Sequence, residues 1–211
     1  MEALLRDGLK ALGLELDDRR VRQLLDFAAL LRKWGRVYNL TAIRSPEEVV
    51  THHLLDCLAL VRPLRERLAP LPASVLDVGS GAGLPGAVIA IACPEARVDC
   101  VDAVAKKSAF VQQAAGALGL PNLRGVHARV EQLTQPYPLV TSRAFAALAD
   151  FVRWSDSALT PDGIWLAMKG RYPADEVAQL PPGVELFHVE QLQVPGLAAE
   201  RCLLWMRRQG A

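Results

Sequence analysis

One stretch near the middle of the chain, residues 75–92, constrains the fold more than any other. Residues 75–78 form a short apolar run typical of a buried strand, and residues 87–92 form an apolar run typical of a helix. The loop between them, residues 79–86, holds four glycines, which lack a Cβ and let the backbone turn tightly and approach a ligand. A tight turn without a ligand does not need four glycines in eight residues, so the stretch predicts a binding loop between a strand and a helix.

The rest of the chain after residue 73 fits the same pattern. Short β-branched runs alternate with helical ones, which is the signature of βαβ units that build a largely parallel sheet. We expect helices between the first five strands, and strands at residues 75–78, 97–101, 123–126, 139–142, 164–168, 184–193 and 201–207. Residues 73–211 are therefore predicted to form an α/β domain with a Rossmann-like, mostly parallel, seven-stranded sheet.

Residues 1–72 read as a helical extension. Asp17 or Asp18 begins a predicted helix whose apolar positions recur at spacings of three and four over residues 21–34, and Gly35 is expected to loosen its end.

A second helix of this extension has a sharper start. Ser45 provides an N-cap, Pro46 suits the first helical position, and a glutamate follows three residues after the cap. We expect this helix to run to about Leu60. Three prolines and several charges in residues 62–72 then indicate a linker.

Composition excludes several classes of protein. The four cysteines are scattered without a CxxC pair, so neither a metal site nor a disulfide framework is expected. The apolar run of residues 84–93 is much shorter than the roughly 20 residues that span a bilayer. Acidic residues among the first 18 do not fit a signal peptide, so we expect a cytoplasmic protein without membrane contact.

An acidic residue supports a nucleoside-type ligand at the glycine loop. Asp102 ends the next predicted strand, 23 residues after Gly79, close to the roughly 20 residues expected for a carboxylate that binds a ribose hydroxyl pair. The alternative is that Asp102 caps the following helix. Asp77, just before the glycines, is a candidate for orienting an amino-acid end of the ligand, or else a structural strand-end residue.

Both nicotinamide cofactors and S-adenosylmethionine use such a loop. A dinucleotide places its pyrophosphate at the helix N-terminus, whereas the methyl donor presents a sulfonium and an amino acid that need carbonyl and carboxylate oxygens as well. The GxGxG form Gly79-Ser80-Gly81-Ala82-Gly83 resembles the first motif of class I methyltransferases, which favours S-adenosylmethionine.

Several longer motifs resemble one family. Over nearly its whole length the chain is similar to the bacterial 16S rRNA guanine-N7 methyltransferases, also called glucose-inhibited division protein B. The motifs that carry the resemblance are Asn39-Leu40-Thr41-Ala42-Ile43, His52-His53-Leu54-Leu55-Asp56, the run from Leu76 to Gly86, Ser142-Arg143-Ala144-Phe145 and Lys169-Gly170. One departure from the family pattern is the His-His-Leu-Leu-Asp-Cys stretch, in which the family more often has His-Ile and Ser.

The resemblance implies roles for particular residues. Gly79 and Leu84 are expected to line the methyl-donor pocket, Val130 and Glu131 to approach the adenine, and Arg143 to reach the active site from the fourth strand. The full predicted donor site comprises Asp77, Gly79, Gly81, Gly83, Leu84, Asp102, Val130, Glu131 and Arg143.

The resemblance also implies the reaction, a methyl transfer from S-adenosylmethionine to N7 of a guanine in 16S rRNA or in the small-subunit particle, by a monomer. N7 carries an exposed lone pair, so no base is needed and the enzyme mainly has to position the reactants. Arg143 is the candidate catalytic residue. It could hold the donor's carboxylate, the guanine edge or an RNA phosphate, and the alternative is a surface arginine paired with an acidic neighbour.

A net charge of only +1 means that RNA binding must rest on local patches. The candidates for RNA contact are Arg36, Arg44, Lys106, Lys107, Lys169 and Arg171, with Arg32 and Lys33 beside the first of them. Each group alone also fits a solvated surface. Trp34 fits the apolar stripe of its helix better than a stacking platform, and His52 and His53 have no metal partner in sequence.

Three rival functions keep the same loop. A methyltransferase acting on a small molecule or a protein would retain every donor residue and lose only the RNA. A non-catalytic module that binds S-adenosylmethionine would share the loop as well. A nicotinamide oxidoreductase is the third alternative.

Overall fold

The computed structural model describes residues 1–38 and 45–210, and for residues 36–38 it describes the backbone alone. Its central feature is a seven-stranded sheet in the order β3-β2-β1-β4-β5-β7-β6. The strands are β1 Ser74–Val78, β2 Arg97–Asp102, β3 Leu123–His127, β4 Tyr137–Arg143, β5 Leu159–Lys169, β6 Val184–Leu192 and β7 Arg201–Arg208. β1 to β5 pair in parallel, and β7 runs antiparallel to both of its neighbours.

All seven predicted strands are confirmed, with one substantial difference in length. β5 begins at Leu159, five residues before the predicted start at residue 164. Pro161 and Gly163 make this segment look like a turn in sequence, but Leu159 pairs with Tyr137 across an irregularity in the β4–β5 register.

The helices occupy both faces of the sheet. They are α1 Glu2–Ala11, α2 Asp18–Tyr38, α3 Pro46–Val49, α4 Asp56–Leu58, α5 Val61–Arg67, α6 Gly86–Ala92, α7 Ala105–Leu118, α8 Leu148–Ser155 and α9 Ala174–Val177. A π-helical turn, Val50–Leu55, joins α3 to α4, and short 3₁₀ turns occupy Val130–Gln132 and Asp156–Ala158. None of the described helices combines the length and apolar character needed to cross a membrane.

Three expectations about the helices are wrong. α2 continues past Gly35 to Tyr38, and the buried position of this glycine fits close packing rather than a helix end. Most of the predicted linker is helical, since α5 buries Pro63 and Leu64. The segment between β3 and β4 forms only a 3₁₀ turn, because nine residues that include Pro136 leave little length for a helix.

Two hydrophobic clusters of the described residues sandwich the sheet. The larger one joins N-terminal residues such as Leu24 and Phe27 to Val98 of β2 and Leu203 of β7. The smaller one joins Phe151 of α8 to the opposite face of the sheet. Each fully buried side chain of this size contributes roughly 1.5–3 kcal/mol relative to exposure. The N-terminal helices therefore share a core with the sheet, and the division at residue 72 stays a prediction.

The topology brings the ends of four parallel strands to one edge of the sheet. β1 and β2 end at Val78 and Asp102, and β4 and β5 end at Arg143 and Lys169. The chain order reverses between β1 and β4, and ligands of open α/β sheets bind at such a point, outside the carboxyl ends of the strands. The predicted glycine loop follows β1 at this position.

Candidate functional site

The loop after β1 has a backbone that depends on glycine. Gly79, Gly81 and Gly83 adopt φ values of +63°, +56° and +81°, a region that side chains disfavour. At Gly79 a Cβ would also lie 1.9 Å from the ring of Phe145. The loop is closed by the Gly83 N–H, which donates to the Ser80 carbonyl at 2.8 Å. The loop after β1 is thus a tight turn that runs directly into α6, and its role in binding stays a prediction.

Asp77 supports this loop from beneath. Its side chain is fully buried, and Oδ2 accepts a 2.8 Å hydrogen bond from the Gly86 N–H at the start of α6. Oδ1 has no hydrogen-bond partner among the described residues. Burial raises the pKa of Asp77 to about 7, and the Gly86 N–H opposes that rise. Oδ2 of Asp77 therefore has a structural role at the start of α6, while Oδ1 is available to interact with a nearby charge.

Asp102 ties the loop to the end of β2. Its Oδ2 accepts from the Gly81 N–H at 3.0 Å, and its Oδ1 accepts from the Val104 N–H at 2.8 Å. Lys107 Nζ lies 3.6 Å from Oδ2. Asp102 thus shapes the turn into α7, as the capping alternative suggested, although the N-cap of α7 is Val104. A carboxylate oxygen can accept two hydrogen bonds, so each oxygen of Asp102 can still accept one from a ligand.

Two cavities open on either side of this loop. The β2-side cavity, of about 350 Å³, contains the predicted residues Asp102, Val130 and Glu131 in its wall, with Lys107 and Phe145. The β4-side cavity, of about 370 Å³, is lined by His53, Asp56, Gly79, Ser80, Gly81, Ala82, Leu84, Arg143, Ala144, Met168, Lys169, Gly170 and Arg201. Gly79 and Ala144 line both cavities, so the two are neighbouring parts of one crevice.

Ala144 and Phe145 shape the point where the cavities meet. Ala144 has a φ of +50°, which is costly for a residue with a Cβ and is typical of functional sites. This turn sends Phe145 over Gly79, and the Phe145 ring packs edge-on against Trp154 with centroids 5.8 Å apart. The aromatic pair forms an apolar wall of the β2-side cavity.

Arg143 is held by two groups of the N-terminal helical segment. Its Nη1 donates to Asp56 Oδ2 at 2.9 Å and to the His52 carbonyl at 3.2 Å. Asp56 Oδ1 accepts a second guanidinium through Arg201 Nε at 2.7 Å. Asp56 is 4% exposed and Arg143 is 21% exposed, so Arg143 pairs with an acid but is not a surface arginine.

The π-helical turn Val50–Leu55 supplies part of this arrangement. π-turns are rare and frequently occur at functional sites. Here the His52 carbonyl accepts from Arg143 and from His53 Nδ1. Burial lowers the pKa of His53 to about 4, with Arg143 adding to the effect, so the imidazole is neutral near pH 7.

The predicted RNA-contacting residues fall into three environments. Lys106 and Arg171 are exposed near the two cavities. Lys107 lies close to Asp102, and Lys169 Nζ donates to Glu176 and to the Ala146 carbonyl at 2.8 and 2.9 Å. Arg44 lies outside the described residues, as does the side chain of Arg36. Trp34 packs half-buried against the larger hydrophobic cluster, as its position in the stripe indicates.

The structure adds Asp56 and Arg201 to the site, and sequence reasoning gave neither of them a role. A signal for Asp56 was present, since an acid among the otherwise apolar residues 54–61 is expected to need a buried partner. Arg201 lies 145 residues away from Asp56 and carries no local signal. The four cysteines are buried thiols, and the described residues contain no group of His, Cys, Asp or Glu suited to a metal ion.

Comparison with known proteins places the chain among rRNA-modifying enzymes. A family model described as rRNA small subunit methyltransferase G matches residues 20–204. Two relatives with the name Ribosomal RNA small subunit methyltransferase G come from Acidovorax ebreus (strain TPSY) and Polaromonas sp. (strain JS666 / ATCC BAA-500). They are 62% and 63% identical to this chain over 98% of its length, and the matches span 95% and 93% of the relatives.

Solved structures share the fold at low sequence identity. N-methyltransferase NodS from Bradyrhizobium japonicum WM9, in complex with S-adenosyl-L-homocysteine, has a TM-score of 0.58 at 15% identity and covers 85% of this chain and 100% of NodS. TrmN from Thermus thermophilus has a TM-score of 0.56 at 22% identity, over 71% of this chain and 48% of TrmN. These similarities extend to the sheet and its helices, and they bear on architecture alone.

Proposed function

Because the chain belongs to the rRNA small subunit methyltransferase G family, we propose that it transfers a methyl group to N7 of a guanine in 16S rRNA. Membership makes it an S-adenosylmethionine-dependent rRNA methyltransferase with a class I fold. What we propose beyond family membership is the target atom, the roles of the residues and the mechanism. The observation that carries it is the single crevice in which two cavities meet at Gly79 and Ala144.

The residues of the β2-side cavity fit the adenosine part of the donor. Asp102 presents a carboxylate suited to a ribose hydroxyl pair, and Val130 and Phe145 provide apolar walls for an adenine ring. Glu131 stands at the exposed rim of the same cavity.

The glycine loop fits the remainder of the donor. Gly79, Gly81 and Gly83 place no side chain at three positions of the loop, and Leu84 lines the β4-side cavity next to it. The buried Asp77 beneath the loop has one oxygen that accepts no hydrogen bond from the described residues, which favours a cationic group nearby. When bound here, S-adenosylmethionine supplies an electrophilic methyl group on its sulfonium.

The β4-side cavity fits the acceptor. N7 of guanine needs no deprotonation, so the chain's task is to align it with the methyl group. Arg143 reaches this cavity from the end of β4 and is fixed from behind by Asp56. Burial lowers the pKa of His53 to about 4, so this imidazole is a weak base, which suits a reaction that depends on positioning.

RNA binding would use the basic residues around the crevice. Lys106 and Arg171 are exposed and suit phosphate contacts, whereas Lys107 and Lys169 already have acidic neighbours within the protein. Arg36 and Arg44 remain predicted RNA contacts on the basis of the sequence. We expect a monomer that acts in the cytoplasm on 16S rRNA or on the small-subunit particle, without a metal ion.

Mass mapping of modified nucleotides tests the proposal. Small subunits from cells that lack the gene would be incubated with the purified chain and isotopically labelled S-adenosylmethionine. The expected product is one guanine of 16S rRNA carrying the label, with strand cleavage at that N7-methylguanine after borohydride reduction and aniline treatment. Label at another atom would contradict the N7 assignment, and no label with intact donor binding would favour a binding module or another substrate.

A pair of glycine variants makes the test specific to the loop. Gly81→Asp brings a like charge to the Asp102 carboxylate and should abolish methylation. Gly119→Asp is the matched control, because Gly119 has a similar φ of +61° and an added Cβ meets no described atom within 4 Å. Gly119 follows the last residue of α7, and the rise of this 14-residue helix places it roughly 20 Å from the crevice. Equal loss of methylation in both variants would mean that strain, not the binding loop, is responsible.

A further inference from the structure

The Asp56 carboxylate joins two arginines at the β4-side cavity. Each oxygen accepts from a different guanidinium, Oδ2 from Arg143 and Oδ1 from Arg201, at 2.9 and 2.7 Å. All three residues line the cavity, and Asp56 is almost completely buried. Such charge-assisted hydrogen bonds fix the direction of both planar groups. The carboxylate therefore decides where the unused donors of the two arginines point.

Both guanidiniums retain donors after these contacts. Arg143 uses Nη1 for Asp56 and for the His52 carbonyl, and Arg201 uses Nε for Asp56 and Nη1 for the Glu200 carbonyl. Within residues 1–38 and 45–210, Nη2 of each arginine makes no hydrogen bond to the protein. Two fixed forks with spare N–H groups beside one cavity match the geometry of an anionic pair of oxygens.

The charge of this group is also unbalanced. Among the described residues, two guanidiniums share the Asp56 carboxylate, which leaves one positive charge in a partly buried place. Other groups of the cavity wall do not cancel it, since Lys169 is paired with Glu176 and His53 is neutral near pH 7. An electrostatic interaction is stronger here than in bulk water because the surroundings are partly desolvated.

We propose that Asp56 is a positioning residue that holds Arg143 and Arg201 as a paired site for one anionic oxygen group in the β4-side cavity. The group is a phosphodiester of the RNA or the carboxylate of the methyl donor, and the inference rests on the proposed function. Asp56 belongs to the N-terminal helical segment, so it also makes this anion site depend on the docking of that segment onto the sheet.

Asp56→Asn tests the proposal, because it preserves shape while removing the charge that holds both guanidiniums. Asp99→Asn is the matched control, since Asp99 is another buried carboxylate in a close ion pair, with Arg124, and it lines neither cavity. Binding of S-adenosylhomocysteine would be measured by calorimetry, and KM and kcat for 16S rRNA in small subunits over a salt series. Both variants are expected to lose some stability, and only Asp56→Asn to lose affinity.

The two sources of the anion give different results. If the anion is a phosphodiester, Asp56→Asn raises KM for RNA about 10-fold or more and lowers the salt slope of log affinity by about 1, with S-adenosylhomocysteine binding unchanged. If it is the donor's carboxylate, the Kd for S-adenosylhomocysteine rises by a similar factor and the salt slope is unchanged. Affinities for both ligands equal to those of the unmodified chain would overturn the proposal, as would the same losses in Asp99→Asn.

A second set of variants covers the case in which Asp56→Asn does not fold. Arg201→Gln removes one fork at a partly exposed strand start, and Arg201→Lys keeps the charge without the fork. The proposal requires Arg201→Gln to weaken one ligand about 10-fold and Arg201→Lys to recover part of that loss. Unchanged affinities in Arg201→Gln would refute it. Failure of the unmodified chain to bind S-adenosylhomocysteine or methylate rRNA would instead count against the proposed function.

Discussion

The Asp102 carboxylate accepts a 3.0 Å hydrogen bond from the backbone N–H of Gly81, so the end of β2 and the glycine loop after β1 form one unit. The same carboxylate accepts from the Val104 N–H, which turns the chain towards α7. One side chain thus joins the two loops that frame the β2-side cavity. A ligand bound through Asp102 would find both loops already in place, which lowers the entropic cost of binding.

Replacing Asp102 should therefore weaken donor binding more than it weakens the fold. Asp102→Asn removes the charge and leaves one acceptor for the two backbone donors and the ligand. We expect the Kd for S-adenosylhomocysteine, measured by calorimetry, to rise about 10-fold or more, as for other charge-assisted hydrogen bonds. Asp162→Asn, at an exposed position of β5, is the control and should bind normally. Full affinity in Asp102→Asn would remove Asp102 from the donor site.

Gly79 should not tolerate even a methyl group. Gly79→Ala places a Cβ 1.9 Å from the Phe145 ring and forces alanine to a φ of +63°, which alone costs roughly 1–2 kcal/mol. Gly116→Ala is the matched control, since in the part of the chain that the structure describes no atom lies within 4 Å of the added Cβ, and alanine within α7 should stabilise by up to about 1 kcal/mol. Denaturant unfolding measures both, and equal stability of the two variants would contradict the packing described at Gly79.

Features that depend on neighbouring residues were predicted from the sequence, and contacts between residues far apart in the chain were not. The strands and the loop of residues 79–86 each depend on a run of consecutive residues, so the local sequence pattern was sufficient to predict them. Asp102 was found because its spacing from Gly79 follows from one βαβ unit. α5 was missed because Pro63 lies in its first turn, where proline is compatible with a helix.

The β4-side cavity shows where such reasoning ends. Asp56 and Arg201 meet only after the N-terminal helices have docked on the larger hydrophobic cluster and β7 has inserted between β5 and β6. No periodicity or motif within a window of residues encodes that contact. An acid in a largely apolar run is a signal that a partner exists, but this signal was not used, and the tertiary fold was needed to identify Arg143 and Arg201 as the partners.

The four cysteines should be unreactive while the chain is folded. All four are buried, and burial raises the pKa of Cys57 to about 12 and the pKa of the other three thiols above their ordinary value. Because the thiolate is the reactive species, a thiol reagent at pH 8 should label none of them within minutes in the native protein and all four in denaturant. Rapid labelling of one cysteine in the native protein would place that residue at the surface.

Asp77 should make the stability of the chain depend on pH in an unusual direction. Burial raises its pKa from 3.8 to about 7, so the folded protein favours the neutral carboxyl. Its contribution is fully favourable below pH 4 and is lost as the pH rises to about 7, because ionisation is then easier in the unfolded chain. Asp77→Asn removes this dependence, and its free energy of unfolding relative to the unmodified chain should improve by about 2 kcal/mol from pH 5 to pH 8. Denaturant titrations at the two pH values, with S-adenosylhomocysteine absent, measure that difference. If the two proteins changed in parallel between pH 5 and pH 8, Asp77 would have to be ionised throughout, and its Oδ1 would need a partner that balances the charge.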